Sequence, residues 1–135
     1  MSQTSKSAFN TPEEALEGLL AAYRALDTDA MVAAKDFVID ARLFFEGLGL
    51  PISDEKVRES AAAFETNFRA QMKKGIPDYR SMKYEASARQ SLQPNLVVLA
   101  IQCRLPGGQE FQLKIPVFKR DFGWVVVRLP PYDHF

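Results

Sequence analysis

Residues 103–131 read CRLPGGQEFQLKIPVFKRDFGWVVVRLPP, and their register decides the fold. Two alternating apolar runs flank PGG at 106–108, the pattern of a β-hairpin whose loop glycine supplies the left-handed position. Directly opposite residues of an antiparallel pair share a sheet face, so apolar matching selects the register. With a three-residue loop, Cys103 faces Phe111, Ile101 faces Leu113, Leu99 faces Ile115 and Val97 faces Val117. Extending the match into the last run pairs Val117 with Val125, Ile115 with Val127 and Leu113 with Leu129. One apolar face results, which helices must cover.

The same period of two runs upstream. Met82, Tyr84, Ala86, Ala88 and Leu92 alternate with Lys83, Glu85, Ser87, Arg89 and Ser91, so a half-buried strand is expected before the break at QPN, 93–95. Tyr84, Gln90 and Cys103 are expected on the inner face. Three helical segments precede the sheet. Thr11, Pro12 and Glu14 form a capping box with proline at the first helical position, and Leu16, Leu19, Leu20, Tyr23 and Leu26 recur at helical spacing. Gly18 either weakens this helix or permits close packing. Asp29 is expected to cap a second helix over 31–46, although 37–45 is apolar nearly all round and a strand there is the alternative. Ser53 caps a third, with Val57, Ala61, Phe64, Phe68 and Met72 on its buried face and a stop at Lys73, Lys74 and Gly75. The expected fold is α+β: three N-terminal helical segments packed on a curved four-stranded antiparallel sheet. Residues 1–10 read as a flexible segment and 11–135 as one domain.

In this register the second sheet face carries Val98, Phe118, Trp124 and Val126, with Gln112, Lys114 and Arg128 around them. An apolar patch of this kind marks an interface more often than free surface. A homodimer through the outer sheet face is therefore expected; the alternative is that Ser2–Asn10 or Tyr132–Phe135 folds back over the patch.

Composition narrows the function classes. The 135 residues carry 17 basic and 17 acidic side chains, so no general attraction to nucleic acid or an anionic membrane is expected. No apolar run reaches the ~18 residues of a membrane span. The stretch MSQTSKSA at 1–8 lacks the apolar core of a signal peptide, and the single Cys103 fits a reducing compartment, so a cytoplasmic location is expected.

The capped opening TPEEALEGLLAAYRALDTDAMVAA and the closing strand GWVVVRLPP resemble the NTF2-like (cystatin-like α+β) superfamily, with a ketosteroid isomerase-like layout. The resemblance implies a cone-like sheet around a long helix with a pocket at its open end. Residues 37–52 depart from it, since many members place a strand or hairpin there. The superfamily holds isomerases, dehydratases, cyclases, transport factors and domains without activity, so fold decides little about function.

The chemistry on offer is sparse. His134 and Cys103 make no zinc ligand set, and no metal or other cofactor is expected. His134 is the one imidazole available to a nucleophile triad, and LPGGQ is a hairpin turn rather than a phosphate loop. Acid–base chemistry needs a carboxylate in an apolar pocket and an oxyanion donor. Tyr23, placed like a functional tyrosine of the resembled family, with Asp36 or Asp40, is the candidate set; Tyr23 and Tyr84 read equally well as amphipathic core residues. Three readings follow. The favoured one is a non-enzymatic module that binds a small apolar ligand, near Tyr23, Tyr84, Gln90 and Cys103, or a protein partner. The second is an acid–base lyase or isomerase. The third is a structural dimerisation domain whose pocket is filled by Phe37, Phe44, Phe45 and Phe64.

Overall fold

The computed structural model of the chain describes residues 9–128. Four helices precede four strands: α1 Pro12–Arg24, α2 Thr28–Ala34, α3 Phe37–Gly47, α4 Asp54–Lys74, β1 Lys83–Gln93, β2 Leu96–Arg104, β3 Glu110–Arg120 and β4 Gly123–Val126. The strands form one antiparallel meander, β1-β2-β3-β4, in an α+β fold.

The cap of α1 is as its sequence requires: the Glu14 amide donates to Thr11 Oγ1 at 3.1 Å. The Glu14 carboxylate accepts from Asn10 N–H at 3.0 Å, one residue before the cap itself. Phe9 extends this anchoring, its carbonyl accepting from Trp124 N–H at 2.9 Å and its ring lying over Gly18. Phe9 is partly buried against the core, whereas Asn10 is exposed. Leu16, Leu19, Leu20 and Tyr23 are buried against the sheet. Leu26 leaves that stripe: it follows the helix end at φ 55° and is 50% exposed.

The segment expected as one helix is two. Asp27, not Asp29, caps α2, its carboxylate accepting from Ala30 N–H. At Lys35 the backbone is extended and forms an isolated bridge to Val126. Asp36 then caps α3, its Oδ1 accepting from Val38 and Ile39 N–H at 3.0 and 3.2 Å. A short carboxylate competing for free amides in this way restarts a helix within an apolar run. Residues 37–45 are helical, and their all-round apolarity has a cause. Phe37 and Ala41 pack on Val57 and Ala61 of α4, while Ile39 and Leu43 pack on Leu96, Val125 and Val127 of the sheet.

The β2–β3 register is the expected one, from Cys103–Phe111 through Val97–Val117. The β3–β4 register differs by one residue: Val117 pairs with Val126, Phe118 with Val125 and Lys119 with Trp124. The turn is Asp121–Phe122 between the paired Arg120 and Gly123, with Gly123 at φ 134°. A one-residue slip exchanges the faces of a strand. Trp124 and Val126 thus lie on the helix side with Leu16, Leu19, Leu99 and Ile115, whereas Val125 and Val127 meet α3. The second face of β4 is covered by α3.

A bulge does the same to β1. Ala86 opposes Ile101 but Ala88 opposes Ala100, leaving Ser87 as the extra residue. Beyond it Arg89 opposes Leu99 and reaches Glu13 of α1 at 3.3 Å. Gln90 opposes Val98 on the other face. The expected alternation also fails in exposure, since β1 is exposed along nearly its whole length. On α4, Phe64 packs with the α3 cluster rather than the sheet, and Phe68 touches both clusters.

Candidate functional site

The break between α2 and α3 creates the chemically loaded part of the molecule. Lys35 occupies it, pinned by its bridge to Val126 and by its amide donating to the Val32 carbonyl at 3.2 Å. Its side chain therefore enters the space between α3 and α4 instead of solvent, and the residue is 2% exposed. There a cavity of about 360 Å³ is walled by Phe37, Phe44, Phe64 and Phe68, with Lys35, Asp40, Asn67, Gln71 and Arg128 supplying its polar groups. Lys35 Nζ lies 5.6 Å from the centroid of Phe68 and 6.0 Å from that of Phe37, within cation–π range of both rings.

Asp40 lies one helical turn after Asp36 and is 5% exposed. Its Oδ1 accepts from Arg128 N–H at 2.6 Å. Burial pushes its carboxyl up to about 6; Lys35 and the Arg128 amide oppose that rise, and Asp36 adds to it. Burial lowers the Lys35 amine, with Asp40 opposing and Arg128 assisting. Burial thus displaces an amine and a carboxyl toward each other beside one cavity, an arrangement that marks candidate functional sites.

A wider, more open hollow of about 830 Å³ lies on the other side of Phe37, lined by Asp36, Asp29, Glu65, Arg69 and Arg120 among others. Its carboxylates are committed. Asp36 meets Arg120 at 2.5 Å, and Arg69 meets Asp29 at 2.7 Å and Glu65 at 3.0 Å. These pairs tie elements together, which is a structural task.

The residues singled out from sequence fall into separate places. Tyr23 is 2% exposed, with its ring edge-on to Tyr79 at 5.4 Å, and burial raises its hydroxyl well above the usual range. It lines neither the cavity that holds Asp40 nor the hollow that holds Asp36, so the Tyr23 acid–base set is not assembled. Tyr84 and Cys103 are cross-strand partners, with Arg24 6.0 Å from the Tyr84 ring and the Cys103 thiol raised by burial. Gln90 is on the opposite face and does not join them. The four patch residues divide two and two: Val98 and Phe118 on the outer face, Trp124 and Val126 in the core on the helix side. Arg128 lines the Lys35 cavity rather than a polar rim around that patch. Phe37, Phe44 and Phe64 wall a cavity rather than fill one, and Phe45 meets Phe44 edge-to-face with ring centroids 5.4 Å apart. His134 and Tyr132–Phe135 lie outside the described residues. Lys35, Phe68 and Arg128 were not singled out as site residues. The available signal was a lysine directly before a potential N-cap aspartate inside an apolar run.

Among the described residues no helix is long and apolar enough to cross a membrane. No protein-family model and no curated protein matches the chain. Two solved structures are similar to it. One is an NTF2-like protein from Campylobacter jejuni, provisionally termed a transpeptidase, at TM-score 0.48 and 12% identity, covering 88% of this chain and 99% of that one. The other is an NTF2-like protein of unknown function from Shewanella oneidensis MR-1, at TM-score 0.47 and 20% identity, covering 84% of this chain and 89% of that one.

Proposed function

We propose that the chain is a small-molecule-binding module whose ligand occupies the cavity between α3 and α4, an apolar compound with one polar end. The observation that supports this reading is the make-up of that space: about 360 Å³ walled by four phenylalanines, with Lys35 and Asp40 among the five polar residues that line it. Cavities with apolar walls and a few convergent polar groups are the usual form of small-ligand sites. On this reading the ligand does not contact Tyr23 or Cys103, which belong to the packed core and do not line the cavity.

A thermal-shift screen of small aromatic and alicyclic compounds bearing one carbonyl or carboxylate tests the reading. A ligand at a hundredfold its Kd adds about 2.7 kcal/mol to stability, which is several degrees in Tm. Compounds that stabilise the wild type should lose that effect in Phe68→Trp, where added bulk enters the cavity. A panel without hits, or hits that stabilise both proteins equally, would overturn it.

One observation favours a catalytic form of the same reading. Asp40, held near 6 inside the cavity, is suited to give and take a proton at neutral pH. Such chemistry would use Asp40 with Lys35 and would not involve Tyr23.

A further inference from the structure

We propose that this cavity selects an aromatic monocarboxylate, whose ring lies among the four phenylalanines and whose carboxylate is held at the mouth by the Arg128 guanidinium. The inference rests on the binding reading above and names its ligand class. The polar lining residues divide by exposure. Lys35 and Asp40 are buried, whereas Asn67, Gln71 and Arg128 are exposed. The polar groups that a ligand entering from solvent meets are therefore two amides and a guanidinium. No contact with the buried Lys35 amine is needed.

Arg128 is anchored through its backbone, its N–H donating to Asp40 Oδ1 at 2.6 Å. Its charge acts on the ionisation of both Lys35 and Asp40, so the guanidinium lies close to the buried pair. Asn67 and Gln71 are four residues apart on α4, and residues at that spacing share a helix face. Either amide can donate a hydrogen bond to a carboxylate at the same rim.

The charge pattern argues against other ligand classes. An organic cation would meet Arg128 at the mouth, and Asp40, the acidic residue that lines the cavity, is buried and already accepts from the Arg128 amide. A neutral compound filling the mouth would strip water from the guanidinium without replacing it, and a charged donor left without an acceptor is costly. A carboxylate restores those hydrogen bonds, and its two oxygens match the planar fork of arginine. A dianion would add a second negative charge near Asp40. The aromatic body follows from the walls, because an aromatic ring pairs edge-to-face or offset with phenylalanine rings and gains beyond its buried area.

The test uses the full chain with benzoate and benzyl alcohol, which share a ring and differ in charge, and reads Kd by ligand-observed NMR at pH 7. Hydrogen bonds to a charged group are strong enough that benzoate should bind the wild type about tenfold more tightly than the alcohol. Arg128→Gln keeps the backbone N–H that Asp40 accepts from; it should weaken benzoate about tenfold and leave the alcohol within about twofold. Arg128→Lys should recover only part of the loss, because an ammonium lacks the fork. Phe68→Trp should lose both compounds. Equal binding of benzoate and alcohol to the wild type, or a preference for benzoate that survives Arg128→Gln, overturns the proposal. If the alcohol then still binds wild type and not Phe68→Trp, only the carboxylate selection is lost and the binding module stands; if neither compound binds wild type, both fall.

Discussion

Arg120, at the end of β3, meets Asp36, the cap of α3, with Nη1 2.5 Å from Oδ2. The same carboxylate accepts from Val38 and Ile39 N–H through its other oxygen. One side chain thus starts the helix and fastens it to the end of β3. With the Asp36 side chain 6% exposed and that of Arg120 32% exposed, the pair is partly desolvated. Losing a cap costs about 1 kcal/mol, and stranding one partner of a buried pair costs more. Asp36→Ala should lower unfolding stability by about 2–4 kcal/mol. Asp36→Asn keeps a capping oxygen and should cost about half as much. Urea denaturation of the two variants separates cap from ion pair.

Asp40 has a different pH signature. Its folded value of about 6 lies above the ordinary 3.8, so between those values the folded chain binds more protons than the unfolded one. Stability contributed by Asp40 therefore increases as pH falls from about 7 to 4, by at most about 3 kcal/mol at 1.36 kcal/mol per unit. Asp40→Asn removes this dependence. The stability difference, wild type minus Asp40→Asn, should rise on acidification from pH 7 to 4; a flat difference would show that Asp40 is ionised in the cavity throughout.

Gly18 lies in the middle of α1, where alanine would ordinarily gain about 1 kcal/mol. A Cβ at that position would collide with the ring of Phe9. Gly18→Ala should therefore destabilise the wild type by about 1–2 kcal/mol through overpacking. In a Phe9→Ala background the obstruction is gone, and the same substitution should stabilise by up to about 1 kcal/mol. A double-mutant cycle measures the sign reversal.

The β2–β3 pairing was legible because Leu99, Ile101 and Cys103 alternate with Ala100 and Gln102, so one register matches apolar faces and the neighbouring register does not. The β1 bulge was not legible, since Ala86, Ser87 and Ala88 are all small and none demands a face. It moved Gln90 away from the expected inner face and brought Arg89 there. The α2–α3 break was hidden in a run whose apolarity continues past it. Finding it required reading Asp36 as a cap, and that reading would also have placed Lys35 at a break. The Lys35 cavity depends on Phe37 of α3 meeting Phe68 of α4, rings 5.7 Å apart, a contact that no local pattern encodes.

Trp124-Val125-Val126-Val127 is apolar on both faces, so apolar matching could not choose between registers that differ by one residue. The structure buries both sides: Val126 faces the α1 layer and Val125 faces Ile39 of α3, each fully buried. Valine to threonine conserves shape and buries a hydroxyl without a designed partner, at about 1–3 kcal/mol. Val125→Thr and Val126→Thr should therefore cost similar amounts in urea denaturation. With the register expected from sequence, Val126 would lie on the outer face, and Val126→Thr would stay within about 0.5 kcal/mol of wild type, as surface changes do. Ile39→Ala supplies the control. It should cost about 2–4 kcal/mol, as a large-to-small change in the α3–β4 contact. It should also couple to Val125→Thr by at least about 0.5 kcal/mol while adding independently to Val126→Thr. Coupling to Val126 instead, or to neither, would remove α3 from the second face of the sheet.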